Sequence, residues 1–236
     1  MVSRTRVALS VVVAILTAYN VLRTLAIPVG WHLAGNLLVA AALGLVAWWA
    51  GFDATELGLH RDHHPSGARW GFGVLAVVVA VVGLFGLVSS RLGNADEALD
   101  DPRLQGSLPD LLFEVLVNTP LGTVVLEEFA FRGALLAILI RLMSRWRAVL
   151  VGSALFGCWH IMPTLTTAPG NGAFDALLSL PGGLALVVAG NVLVTAIAGV
   201  VFCLLRLRSG SLLAPALAHL ATNDASLVVG WLFNHP

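Results

Sequence analysis

Two adjacent glutamates, Glu127 and Glu128, lie inside apolar sequence, in the run Val124-Val125-Leu126-Glu127-Glu128-Phe129-Ala130-Phe131-Arg132. Moving one ionisable side chain into hydrocarbon costs roughly 3 kcal/mol on insertion scales. Groups retained against that cost are normally in use. On a helix, Glu128 and Arg132 are four residues apart and lie within about 40° of each other around the axis, so they can form an ion pair. Glu127 is rotated by about 100° from Glu128 and faces a different neighbour. This spacing divides the pair into one carboxylate tied to a guanidinium and one available for chemistry. A carboxylate held out of bulk water suits a general base working near neutral pH. The competing reading is a buried polar knot that only holds helices together. It would be favoured for a single charged pair, and the second glutamate shifts the balance towards chemistry.

Two further apolar segments each carry a histidine. The first is Phe156-Gly157-Cys158-Trp159-His160. A histidine alone in such a helix is more often a hydrogen-bonded core residue than a catalyst. The second is His219-Leu220-Ala221-Thr222-Asn223. Here the four-residue spacing puts an imidazole and an amide on one face. Such a pair can donate to a developing oxyanion. It equally suits metal ligation, or interhelical hydrogen bonds worth about 1 kcal/mol in a membrane. Glutamate, histidine and asparagine gathered within a membrane bundle point to hydrolysis of a bond at or within the lipid.

The elements that must position these residues are membrane helices. The chain has 236 residues, 58% hydrophobic and 11% charged, against about 25% charged for a soluble domain. This composition indicates an all-α polytopic bundle in a single integral membrane domain over residues 1–236. Hydropathy places spans near 7–27, 31–51, 70–90, 110–140, 147–166, 184–205 and 211–233, with an eighth short element near 172–182. Asn118 and Pro120 predict a kink or break in the long fourth span. The N-terminal apolar stretch reads as a first helix rather than a cleaved signal, because no small-x-small cleavage site follows it. Arginines gather at Arg4 and Arg6, at Arg61 and Arg69, at Arg141, Arg145 and Arg147, and at Arg206 and Arg208. These are alternate loops, and the pattern predicts seven crossings with the N-terminus cytoplasmic and the C-terminus outside. An intervening loop carries Asp96, Glu97, Asp100, Asp101 and Asp110.

All 13 basic residues are arginine, so no lysine is present for Schiff-base or P-loop chemistry, and the zero formal charge leaves no nucleic-acid footprint. Cys158 and Cys203 have no zinc spacing and are expected to be small buried hydrophobes. His60, His63 and His64 read as part of a solvated loop. Glu114 and Asn118 share a face upstream of the glutamates, and Asn191 is expected to bond between helices. Asp224 adds a carboxylate beside Asn223.

The three pieces Glu-Glu-x-x-x-Arg, Phe-x-x-x-His and His-x-x-x-Asn occur in that order on separate expected membrane helices. In this the chain resembles the CPBP family of intramembrane proteases, also called the Abi or type II CAAX prenyl endopeptidase family. Gly133 after the motif arginine, and the run from Arg208 to His219, are also similar to the family. The likeness covers a protease core of about residues 110–226. It implies that Glu127 with His160 activates a water, that His219 and Asn223 stabilise the oxyanion, and that Glu128 and Arg132 shape the site, with Phe156 packing the motif helix.

Two His and a Glu would also leave an open position on a divalent metal such as zinc, although the zincin His-Glu-x-x-His is absent. Activation of water with a metal and without one are both compatible with these residues. The expected partners are a membrane peptide or protein substrate and the lipid bilayer, with no nucleic acid. Short loops suggest a bacterial cytoplasmic membrane. A non-catalytic regulator or scaffold of the same family is the alternative function. A proton-relay transporter would predict inverted repeats, and none is visible.

Overall fold

The structure is a computed structural model, described here for residues 2–92 and 106–234. Among these residues all regular structure is helical. Helix α1 spans Val2–Leu25 and α2 spans His32–Trp49. A short α3, Ala54–Leu57, opens on a capping box between Asp53 and Glu56. Helix α4 runs Val-rich from His64 to Leu92. Helix α5 is continuous over 108–142, α6 spans Arg145–Trp159, and α7 spans Ile161–Thr167. A short α8, Asp175–Leu178, occupies the region where an eighth element was expected. Helices α9, Gly183–Ser209, and α10, Leu213–Asn234, complete the chain. The acidic residues Asp96, Glu97, Asp100 and Asp101 fall outside the described residues.

Five helical stretches are long and apolar enough to cross a membrane: Val2–Leu25, Val29–Trp49, Ala54–Val88, Arg145–Gly170 and Gly183–Ser209. The two other expected crossings are α5 and α10. These are the helices that carry Glu127, Glu128, Arg132, His219, Asn223 and Asp224, and those polar groups lower their apolarity. Large apolar side chains such as Leu38, Val77, Val81, Leu84, Leu193 and Val194 point outward from the bundle. Lipid accepts such a surface, whereas water would not.

Helix α5 sits at the centre. Its segment from Ala130 to Leu139 is buried throughout, against Ala8, Val12 and Leu16 of α1, Leu43 and Ala47 of α2, and Val149 and Phe156 of α6. Small residues set the closest approaches. A Cβ on Gly67 would lie 2.7 Å from Ser211 Cβ, and one on Gly71 would lie 2.7 Å from Leu217 Cβ. Helices α4 and α10 therefore pack side by side in the same direction on a small-residue face. Gly157 meets Val192 and Ala196 while Gly199 meets Ser153, so α6 and α9 run antiparallel.

Three features differ from the sequence expectation. Pro120 does not break α5. The helix widens instead, with i to i−5 bonds from Thr119 N–H to Glu114 O and from Val125 N–H to Pro120 O. The buried Asn36 of α2 donates to the Gly122 carbonyl inside the widened stretch. The expected fifth span is not one helix. It ends at His160 and restarts as α7. Finally, Cys203 is buried but Cys158 is exposed, because it points away from the face of α6 that Trp159 and Phe156 bury.

Candidate active site

Glu127 and Glu128 occupy a short α-helical turn, Val125–Glu128, between widened stretches at Pro120–Val124 and Phe129–Leu135. Wide turns of this kind recur at functional sites because they re-aim side chains without ending the helix. Both glutamates are buried, at 5% and 2% exposure, and Arg132 is at 1%.

Glu128 is occupied on one oxygen, its Oε2 being buried without a hydrogen-bond partner as Glu127 Oε2 is. Its Oε1 accepts from Arg132 Nη1 at 2.9 Å and from His219 Nδ1 at 2.7 Å. The Arg132 guanidinium also stacks on aromatic faces, with Cζ 3.9 Å from the Phe156 centroid and 4.9 Å from that of Phe202. Desolvated contacts of this type are worth about 2 kcal/mol. They compensate a buried charge whose Nε and Nη2 make no hydrogen bond.

Glu127 is held from one side only. Its Oε1 accepts from Trp159 Nε1 at 3.0 Å. Its Oε2 is buried without a hydrogen-bond partner and lies 3.9 Å from His219 Nε2. His219 thus stands between the two glutamates, with one ring nitrogen towards each. The helix spacing foresaw the Glu128–Arg132 pair; it did not foresee His219 as the histidine nearest Glu127.

His160 is the residue at which α6 ends. Pro163 has no N–H, so a continuous helix would leave the Trp159 carbonyl without its i+4 donor. Asn20 of α1 supplies that donor, from Nδ2 to Trp159 O at 2.7 Å. Thr164 Oγ1 donates to the His160 carbonyl at 2.6 Å and itself accepts from Asn191 Nδ2 at 2.6 Å, which ties α7 to α9. The His160 ring bonds Phe156 O through Nδ1 at 2.8 Å. A carbonyl only accepts, so Nδ1 carries the proton and the neutral ring presents a lone pair at Nε2. Among the described residues His160 makes no direct bond to Glu127. Both histidine rings instead meet the same aromatic, with centroids 4.7 Å (His160) and 6.2 Å (His219) from Phe156.

Asn223 lies one turn beyond His219 on α10, half-buried. Asp224 beside it is buried and borders an apolar cavity of about 340 Å³ between α4, α5 and α10. A second cavity, about 540 Å³, reaches Glu128 from the α2–α5 side past Gly58, His64 and Leu212. Upstream, Asn118 donates to Glu114 at 2.8 Å. Among the described residues no three His, Cys, Asp or Glu side chains converge as ligands for one metal ion. The donor set as folded does not fit a three-ligand metal site.

Trp159 and Asn20 are the site residues that sequence reasoning passed over. A tryptophan beside a motif histidine reads as packing, and an asparagine near the end of α1 reads as interfacial.

Residues 109–224 match the model of a family described as type II CAAX prenyl endopeptidase Rce1-like. No curated protein and no solved structure matches the chain. The matched stretch begins in the first turn of α5 and ends at Asp224, so it contains both glutamates, Arg132, both histidines and Asn223.

Proposed function

We propose, for a chain that belongs to the type II CAAX prenyl endopeptidase Rce1-like family, that it is an intramembrane endopeptidase in which Glu127 activates the hydrolytic water. The observation that carries this reading is Glu127 Oε2. It is a buried carboxylate oxygen with no hydrogen-bond partner, facing a histidine nitrogen 3.9 Å away. That gap is too long for a direct hydrogen bond and has the length that one bridging water spans.

The reaction follows from the groups present. A water bound at Glu127 Oε2 loses a proton to that carboxylate as its oxygen adds to the scissile carbonyl carbon. His160, with its lone pair at Nε2, is the second acceptor proposed for that water. His219 and Asn223 present donors to the oxyanion. Collapse of the tetrahedral centre expels the amine, which takes the proton from Glu127. The new acid passes its remaining proton to the amine, so the products are a carboxylate and an ammonium group, and the site returns to its starting state.

The arrangement of arginines supports seven crossings with a cytoplasmic N-terminus, α5 and α10 being the two polar ones. The substrate is a peptide or protein segment of the membrane, unwound where it is cut, because a helix hides its carbonyls. The test compares membrane peptides from cells carrying wild type, Glu127→Ala and His160→Ala at equal expression. An uncut membrane peptide that accumulates in both variants is expected. Identical peptide profiles in all three strains overturn the reading.

A further inference from the structure

We propose that Trp159 is a positioning residue for Glu127, locked in place by Asn20 of α1. The inference rests on the assignment of Glu127 as the base. A base must present one particular oxygen to the water, and a carboxylate free to rotate about its last torsion would not. The Trp159 indole N–H donates to Glu127 Oε1 at 3.0 Å and leaves Oε2 turned towards His219. Trp159 is itself buried and lies 5.8 Å from the Phe131 centroid in an edge contact. Phe131 belongs to α5, the helix that carries Glu127, so the indole is wedged between the two motif helices.

What fixes the indole is unusual. Trp159 sits on the last residue of α6, where Pro163 removes the helix donor to its carbonyl. Asn20 fills that vacancy from another helix at 2.7 Å. The buried Asn20 therefore sets where α6 ends, and the end of α6 sets the indole that orients the base. Asn20 lies well outside residues 109–224. The chain Asn20, Trp159, Glu127 gives the first helix a part in the chemistry that the matched region alone does not contain.

The test uses the full-length protein in lipid nanodiscs, with tryptophan labelled with ¹⁵N at the indole nitrogen. The chain has seven tryptophans, and Trp159→Phe identifies the signal of Trp159 by its loss. The expected result is that Glu127→Gln moves this signal and leaves those of Trp31, Trp48 and Trp49 in place. Asn20→Ala should displace the same signal. On the membrane peptide that accumulates with Glu127→Ala, Trp159→Phe should lower kcat by about tenfold or more with KM unchanged, and Asn20→Ala should lower it less. If Glu127→Gln abolishes turnover while Trp159→Phe keeps the wild-type kcat, the positioning inference falls and the protease reading stands. A Trp159 signal indifferent to Glu127→Gln overturns the inference; where Trp159→Phe does not fold, the signal is assigned by elimination, through single Trp→Phe changes at the other six tryptophans. If Glu127→Gln retains full turnover, both fall together.

Discussion

Glu128 accepts two hydrogen bonds on one oxygen and Glu127 accepts one on the other side of the turn, and this asymmetry sets what each substitution does. Glu128→Gln leaves the Arg132 guanidinium buried without its counter-charge. Breaking a buried pair in this way costs about 3–5 kcal/mol, so thermal unfolding in detergent should begin at clearly lower temperature. Glu127→Gln removes no guanidinium partner and keeps the side-chain shape, so its unfolding should stay close to wild type while turnover is lost. Equal thermal stability of the two variants would contradict the division of roles. Residue types are the chemistry, and Glu127, Glu128, Arg132, His160, His219 and Asn223 were singled out by type, spacing and the resemblance to a known family. The structure gathers Glu127, Glu128, Arg132 and His219 and leaves His160 without a bond to Glu127. The placement of His219 between the two carboxylates was not readable, because it depends on how α10 rotates against α5. Trp159 escaped notice because an indole in an apolar helix looks like packing until its N–H is seen to have an acceptor.

The helices bring these residues together through close backbone approaches. Helix α10 carries His219 and Asn223, and it lies on α4 across Gly67 and Gly71. A branched side chain at Gly71 must push α10 away. Gly71→Val should therefore destabilise the protein by about 1–3 kcal/mol and lower turnover through the displaced His219. Gly73 faces open space, so Gly73→Val is the control and should change neither. Equal effects at the two glycines would contradict the packing described. Helix existence was legible from hydropathy, and each long helix overlaps an expected span. Helix interiors were less so. Pro120 signalled trouble in α5, but the helix shifts to i to i−5 bonds around it instead of breaking, and Asn36 donates to the Gly122 carbonyl within the widened stretch. The end of α6 at His160 needed both Pro163 and a distant Asn20, and no local pattern joins them.

The whole molecule is a bundle whose outer surface is apolar and whose charged cluster is at its centre. Arg141 of α5 grips Glu56 through Nε and Nη2, at 2.7 Å and 2.5 Å, and lies over the Phe52 ring. Arg206 of α9 donates to the carbonyls of Thr55 and Glu56 at 3.1 Å and 2.9 Å. The arginines that set the expected orientation thus also fasten the α3 loop onto the ends of α5 and α9. Under the proposed topology a periplasm-active reporter fused after Pro236 should be active, and one fused within residues 59–63 should be silent. The reverse pattern would contradict that orientation. Composition was sufficient to identify the membrane bundle. It could not show α5 as the central helix, because its polar residues make it look the least like a span.

The central claim is that a water held by Glu127 attacks the peptide bond. It is tested most directly by a single turnover in water enriched in ¹⁸O, with the purified protein in lipid and the accumulated peptide as substrate. The account predicts ¹⁸O in the new peptide carboxylate, none in Glu127, and no cleavage with Glu127→Gln. An unlabelled product carboxylate in the first turnover, with the label appearing in Glu127, would show that the carboxylate itself attacked and would contradict it.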